Sequence, residues 1–590
     1  MPETASLTPA PVAPELAEPS RRRRRLLIYQ GSRTSLAFRA VVVFLSVLIT
    51  AVLLVVLVQL ARQVYQEYGW HVGTYFSSVF DSKPIVTAAR NTAIVVLVSC
   101  VLATLVATIL AWLNEGTEAS LGWAGSLMPV VPFLMPALSL PLGWTFIAAP
   151  QSGILNILLR NALHGVGVHI TSGPINIYSW YGMIFLYTIF LTGFAYLIMS
   201  SAIRNVDTNL LEAARLAGAR PLKIFRQILV PSIKGSFLSA FLLCLLPALA
   251  MYTVPFVIGP YANINILSVS IVGMVNGLYP PHYGQAFISG LMLLVPILLA
   301  WLIARRSGRR GQAVISTTRG SLALMRLGRG GRRIGRTVLV VYVIIAVVLP
   351  VLGLLWVSGV PFWGTSLSGK WDPITNLQLL WHNSEAVQGI INSVVLGVVG
   401  ALVIMTVAQL LAYGQRLFPR FGGLLDGLVK APAAIASILL AMGIVLTFGG
   451  PPFNFSGSYE LLFIGFFLAF IPFASVMANA GQLQMGKDVI EASQVSGGSE
   501  LRTFRRIVRP LVSSNFAAGC VLVFILIIGD VNLSLLLSSS ARPTVGYAML
   551  DLQIDAAFPS IATYSLVVAI VNVLVTSLLA VVTIGLRRKR

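Results

Sequence analysis

The chain has 590 residues, of which 57% are apolar and only 10% charged, and its mean hydropathy is +0.86. Soluble domains carry about a quarter charged residues, so the composition excludes a soluble multidomain protein and leaves a polytopic membrane protein. The net charge of +22 would suit a nucleic-acid binder, but the basic residues cluster between apolar stretches, which is how membrane orientation is encoded.

In chain order, residues 1–20 are rich in Pro, Ala and Glu and are expected to be disordered. With the Arg21–Arg25 run they form a basic cytoplasmic N-terminus over 1–36. The apolar stretch 37–64 is too long for a signal-peptide core and lacks a small-residue cleavage site, so it reads as a retained anchor. A helix needs ~20 apolar residues to cross the hydrocarbon core. That length predicts twelve spans: 37–64, 89–113, 124–150, 177–201, 234–258, 283–305, 336–358, 387–412, 424–449, 460–482, 513–537 and 561–586. Lipid offers backbone groups no partners, so the spans are expected to be helices. Cys100, Cys244 and Cys520 fall inside apolar runs and read as small buried hydrophobes.

With the N-terminus inside, 35 of the 41 Lys and Arg residues fall on the inner face, ten of them arginines between 305 and 336. Arg62, Lys83, Arg90, Arg160, Lys370 and Arg542 remain outside. This asymmetry places both termini in the cytoplasm. It also explains the net charge through insertion and anionic inner-leaflet lipid, with no nucleic acid needed.

The spans divide into a first half (37–305), an Arg/Gly-rich cytoplasmic linker (306–335), a second half (336–586) and a basic tail (587–590). Internal similarity supports the cut. Asn91-Thr92 and Ala111-Trp112 in the second span match Asn392-Ser393 and Ala412-Tyr413 in the eighth. Pro132 and Gly143 in the third span match Pro432 and Gly443 in the ninth. Each half enters and leaves on the same side, so the repeats are parallel, with a pathway expected between them.

Two polar inner loops also match. LLEAARLAGARPLKIFRQILVP from Leu210 aligns without a gap on VIEASQVSGGSELRTFRRIVRP from Val489. Glu212 falls on Glu491, Gly218 on Gly497, Phe225 on Phe504 and Pro231 on Pro510. VSGGS therefore aligns with LAGAR and is no ATPase signature. Each loop reads as helix, turn, helix. Asn209 and Asp488 stand three residues before their Glu as expected N-caps. Gly218 and Gly497 are expected left-handed stops, and Pro221 fits a first helical turn. Arg502, Arg505, Arg506 and Arg509 form a basic stripe opposite Leu501, Phe504, Ile507 and Val508. Pro231 and Pro510 are expected to limit the helices before the next spans.

Glu212-Ala213-Ala214, then Gly218, Ile228 and Pro231, resemble the EAA loop of the membrane subunits of bacterial ABC importers. The second copy departs as Glu491-Ala492-Ser493 and carries Arg509 where a small apolar residue is usual. The resemblance implies the type I importer permease fold, with two parallel pseudo-symmetric six-helix halves. It implies that both loops form coupling helices seated on a cytoplasmic ABC ATPase dimer. Glu212, Ala213, Ala214, Gly218, Pro221, Glu491, Ala492 and Gly497 are the coupling residues so implied. A periplasmic or lipid-anchored substrate-binding protein is the other implied partner, in the bacterial inner membrane. ATP and Mg then belong to the ATPase, and this chain carries no cofactor. A Glu that only caps its own helix is the plain alternative for Glu212 and Glu491.

No catalytic constellation is legible. GTSLSGK at 364–370 imitates a P-loop but has Trp371 where a Ser or Thr hydroxyl must bind Mg²⁺. FILIIGD, ending at Asp530, imitates a Walker B strand inside a run too long for one. His71, His164, His169, His282 and His382 lie in outer loops without metal-protease spacing. Asp530 is the one clear acid inside a span, costing about 2.5–3.5 kcal/mol on insertion scales, so it is expected to line a cavity or to pair. Its counterpart in the first half is Met251.

YTVPFVIGPYANINILSVSIVGMV, from Tyr252, is similar to the FGVP-containing segment of ferric permeases, so the resemblance implies ferric iron as cargo. Thiamine, phosphonate and polyamine permeases are the neighbouring alternatives. A secondary carrier of major-facilitator type is the alternative of another class, but such carriers need buried ionisable groups and NEGTEAS (114–120) is acidic where they are basic.

Overall fold

The computed structural model describes residues 33–69, 71–204, 206, 208–219, 221–277, 279–311, 327–365, 367, 370–418, 421–483, 487–496 and 498–588. Most of the expected basic N-terminus and linker, and the last two residues of the tail, lie outside them. Among the described residues regular structure is helical, apart from an isolated bridge between Ser539 and Arg542. The fold is that of an all-α polytopic membrane protein.

Among the described residues eight helices are long and apolar enough to cross a membrane: Leu36–Tyr68, Lys83–Gly116, Trp180–Arg204, Pro221–Ala250, Gly328–Ser358, Ser384–Arg416, Tyr459–Gln482 and Phe558–Leu579. They coincide with eight of the twelve expected segments. The sixth expected segment is the helix Tyr283–Gly311, which runs past 305, and the helix starting at Gly328 begins inside the expected linker.

Three expected continuous spans are broken instead. Segment 124–150 is a short helix, a 3-10 turn over Met128–Leu134 and the helix Ser139–Ala148. Segment 424–449 bends by 91° between Gly422–Ala433 and Ser437–Phe448. Pro132 and Pro432 sit inside the 3-10 turns. A proline lacks the N–H and its ring strikes the carbonyl four residues back, so an α-helix cannot run through at full hydrogen bonding. Segment 513–537 stops at Ile528, and a short helix Asn532–Leu537 follows.

The fifth segment also ends early, at Ala250. Helices Thr253–Ala262 and Leu267–Asn276 then fold back on each other at 92°. Asn263, with φ +53°, closes the first of this pair; Asn tolerates the left-handed region better than most residues.

The repeat is visible in side-chain bonds. Asn91 Nδ2 donates to the Asn265 carbonyl at 3.0 Å, and Thr92 Oγ1 accepts from Leu267 N at 2.9 Å. Asn392 Nδ2 donates to the Pro543 carbonyl at 2.8 Å, and Ser393 Oγ accepts from Val545 N at 2.8 Å. Leu267 and Val545 are the first residues of helices Leu267–Asn276 and Val545–Ile554. The same Asn-hydroxyl pair thus satisfies orphan backbone groups at a helix start in both halves. Such groups have no water to turn to in a membrane.

The first helix of each half packs on the other half. Leu36–Tyr68 lies against Ser437–Phe448, where Gly443 leaves room for Val56 and Leu60. Residues 349–358 lie against Ser139–Ala148, where Gly143 faces Pro350 and Gly353 faces the Gly143 carbonyl. Small residues allow such close helix approach in membranes. The matched Gly143 and Gly443 therefore carry the exchange of helices between halves.

Candidate coupling loops and central cavity

The first loop is built from helix Thr208–Leu216, a turn, and a helix that starts at Pro221 and runs on into the span to Ala250. The second is built from Lys487–Val495, a turn, and the helix Glu500–Leu511. Gly218 has φ +77°, the expected left-handed stop. Around it, Ala217 N donates to Ala213 O and Ala219 N to Ala214 O, both at 3.0 Å. At the matched positions Ser496 N donates to Ala492 O at 3.0 Å and Gly498 N to Ser493 O at 2.9 Å. Gly497 itself lies outside the described residues.

One expectation fails in both copies and a second fails in the first copy. Asn209 and Asp488 are not N-caps: each is the second residue of its helix, because the helices begin at Thr208 and Lys487. Pro231 does not end its helix, which runs on to Ala250, whereas the helix carrying Pro510 does stop one residue later, at Leu511. Each follows a π-helical turn, Phe225–Leu229 or Phe504–Val508, in which Val230 N reaches Phe225 O and Arg509 N reaches Phe504 O. The wider turn admits a proline without breaking the chain. The bend in the second copy comes later, 76° between Glu500–Leu511 and Ser513–Ile528.

Glu212, Ala213, Glu491 and Ala492 are exposed, as is Gly218, while Ala214 and Pro221 are half-buried. Leu216 and Val495, at matched positions on the last turn of each first helix, are 90% and 89% exposed. Leu222 and Leu501 are also matched and exposed, so Leu501 does not join the buried side of its helix as its apolar stripe predicts. Phe504 and Val508 are buried, and Arg502, Arg505, Arg506 and Arg509 are exposed. The exposed apolar knobs escaped the sequence reading; the signal available was an apolar residue closing an otherwise polar helix beside a glycine.

Each loop is fastened to the end of a long helix by a matched aromatic pair. Trp112 and Phe225 lie 4.4 Å apart between ring centroids, and Tyr413 and Phe504 5.5 Å. In the second loop Phe38 of the first helix joins at 5.7 Å from Tyr413 and 6.0 Å from Phe504. Beside it the Arg39 guanidinium donates to the buried Glu500 carboxylate at 2.5 and 2.9 Å. The first loop is fixed differently: Arg204, just before it, pairs with Glu115 at 2.8 Å, and Glu115 also accepts from Asn114, Ser126 and Tyr196. The acidic NEGTEAS segment is thus an anchor for a basic neighbour. Arg39→Ala is expected to lower the melting temperature of the purified protein, because it strands a buried carboxylate at a cost of about 1–3 kcal/mol. Adding Glu500→Gln should recover part of the loss, which a double-mutant cycle measures.

Between the halves lies a cavity of about 280 Å³ with predominantly apolar walls. Phe133, Phe190 and Phe194 of the first half face Phe470 and Asp530 of the second across it. Asp530 sits at the break after Ile528, where its Oδ2 accepts from Leu533 N at 2.8 Å and Ser534 N at 3.2 Å. Asp530 lines this cavity, and its carboxylate holds the first backbone N–H groups of the short helix Asn532–Leu537. Asn532 reaches across the halves to the Ala250 carbonyl at 3.2 Å.

Among the described residues no group of three or more His, Cys, Asp or Glu could hold a metal ion. His164 and His382 lie on short helices, not in loops, and His164 Nδ1 is 3.2 Å from His169 Nδ1.

Residues 405–588 match the family described as "Binding-protein-dependent transport system inner membrane component". A probable ABC transporter permease protein of Sinorhizobium fredii is 26% identical over 69% of this chain and 72% of its own length. The glucose import system permease protein of Saccharolobus solfataricus is 27% identical over 26% of this chain and 49% of its own length. A putative ferric transport system permease protein of Haemophilus influenzae is 22% identical over 68% of this chain and 62% of its own length.

Proposed function

We propose that this chain is the fused permease subunit of a binding-protein-dependent ABC importer, in which both halves of the translocation path lie in one polypeptide. The family match in the second half and the relatives that span both halves support it. The single observation that carries the coupling role is the pair of knobs, Leu216 and Val495. Two matched apolar side chains, almost wholly exposed at the tips of polar loops, cost about 25 cal/mol per Å² of apolar surface left in water, and a partner groove removes that cost. In this reading the loops lie in the cytoplasm with both termini, and Glu212, Ala213, Ala214, Gly218, Pro221, Glu491, Ala492 and Gly497 form the docking surface.

ATP and Mg act on a separate ATPase dimer. Its closure moves both loops together. The aromatic pairs Trp112–Phe225 and Tyr413–Phe504 pass that movement to the long helices, and the helices exchanged between halves move the walls of the cavity. A substrate-binding protein delivers cargo on the opposite face. Ferric iron is the cargo that the sequence resemblance implies. Relatives named for ferric, glucose and osmoprotectant uptake are similar at comparable, low identity, so no cargo is adopted from them. Purification from a strain co-expressing candidate ABC ATPases of the same organism tests the assignment: one ATPase should be retained through detergent, and a chain that purifies alone and still transports would overturn it.

A further inference from the structure

We propose that the cavity between the halves takes a small organic cation, held at the Asp530 carboxylate among aromatic walls. The inference rests on the permease reading and names the cargo class of its path.

Three observations converge. Among the described residues Asp530 is the one acidic side chain on the cavity, and no Lys, Arg or His lines the walls. One of its carboxylate oxygens holds two backbone N–H groups; the other has no hydrogen-bond or ion-pair partner among the described residues. An apolar enclosure disfavours the charged form of a carboxylate, and an opposite charge placed beside it favours that form. The matched residue in the first half is Met251, also on the wall, so the charge is one-sided and suits a ligand with one cationic end.

Asn532 supplies the second observation. Its Nδ2 donates to the Ala250 carbonyl, which fixes the amide orientation and leaves Oδ1 buried without a partner. The two free polar atoms, on residues two apart in sequence, are thus both acceptors. They call for a ligand that donates N–H groups or presents polarised C–H around a cationic nitrogen.

The walls are the third. Phe133 lies 4.4 Å from Phe194 and 5.4 Å from Phe190 between centroids, and Tyr252 and Phe470 line the same space. Aromatic rings attract ammonium groups through their quadrupoles while accepting an apolar body. A sugar would leave most of its hydroxyls unpaired here. A hard metal ion needs a shell of oxygen ligands, and these walls offer one carboxylate, one amide oxygen and the hydroxyls of Ser437, Thr253 and Tyr252. An anion meets an uncompensated carboxylate.

Binding of choline and of n-butylammonium to the full-length chain in nanodiscs tests this, with 3,3-dimethyl-1-butanol as the uncharged isostere of choline and ferric citrate as the metal probe. At least one ammonium probe should bind, and choline, if bound, about tenfold or more tighter than its isostere. Asp530→Asn, which can still cap the helix, should weaken ammonium binding by about tenfold or more with an unchanged melting temperature, and Asp530→Glu should restore it. Equal binding of choline and its isostere, an unaffected Asp530→Asn, or binding of ferric citrate with neither ammonium probe overturns the inference. ATPase retention on the same preparation separates the two claims. Retention without ammonium binding sinks the cargo class alone, whereas loss of the ATPase sinks the permease reading.

Discussion

Gly218→Val is expected to cut ATP-driven transport severely while leaving membrane insertion intact. Gly218 has φ +77°, and a Cβ placed there would meet nothing within 4 Å. The penalty is therefore conformational and not steric: left-handed backbone costs a residue with Cβ about 1–2 kcal/mol, and a β-branched one more. The turn holds two bonds, Ala217 N to Ala213 O and Ala219 N to Ala214 O. Losing them lets the helix run on or fray, and Leu216 and the Glu212 face then turn away from their present direction. A loss of 1–2 kcal/mol in loop geometry is roughly a factor of 5–30 in its folded population, and coupled transport should fall by about that much. A graded series checks the cause. Asn, which accepts the left-handed region, should retain most transport, Ala less and Val least. Equal transport by all three variants, measured as cargo uptake per ATP hydrolysed, would show that the turn has no part in coupling.

Gly143→Val should have the larger effect on stability. A Cβ at Gly143 would lie 2.5 Å from the Pro350 carbonyl oxygen and 2.8 Å from its Cα, both backbone atoms that no rotamer change can clear. From the other side, a Cβ at Gly353 would lie 2.5 Å from the Gly143 carbonyl oxygen. Two helix backbones in contact cannot yield locally, so the crossing must open and the exchanged helix detach from its host. Overpacking of this kind costs about 1–3 kcal/mol, and more where backbone is struck. The melting temperature in detergent should drop, and the two halves expressed separately should associate less well. Gly273→Ala is the control, since nothing lies within 4 Å of its Cβ position and a helical Gly→Ala exchange is neutral or stabilising by up to about 1 kcal/mol.

Composition and span length were enough to read the fold class, because lipid imposes one backbone solution. Where the reading failed, local chemistry broke the length rule. Pro132 and Pro432 were recognised as a repeat, yet their consequence, a broken span, was not drawn. The end of the fifth helix at Ala250 carries little hydropathy signal, since the chain stays largely apolar until Asn263, where the bend occurs. The loops were legible through gapless matching, but the register of their helix starts was not: Thr208 and Lys487 are unremarkable helix residues, while Asn209 and Asp488 look like caps. The π-turns before Pro231 and Pro510 were illegible because a proline in a helical pattern ordinarily marks an end. Asn91 and Asn392 were visible as repeat markers. Their work, tying the second helix of each half to a helix start 174 and 151 residues away, depends on tertiary contacts that no local pattern encodes.

The measurement nearest the central claim is site-directed cross-linking of both loops to the ATPase. The native cysteines Cys100, Cys244 and Cys520 are all buried, so a cysteine introduced at exposed Ala213 or Ala492 is the reactive one. With a cysteine-scanned ATPase in membranes, each position should form a disulfide with the same groove of one ATPase copy, and the yield should change with ATP. If neither position cross-links while the complex still transports, the two loops are not where the motor engages this protein.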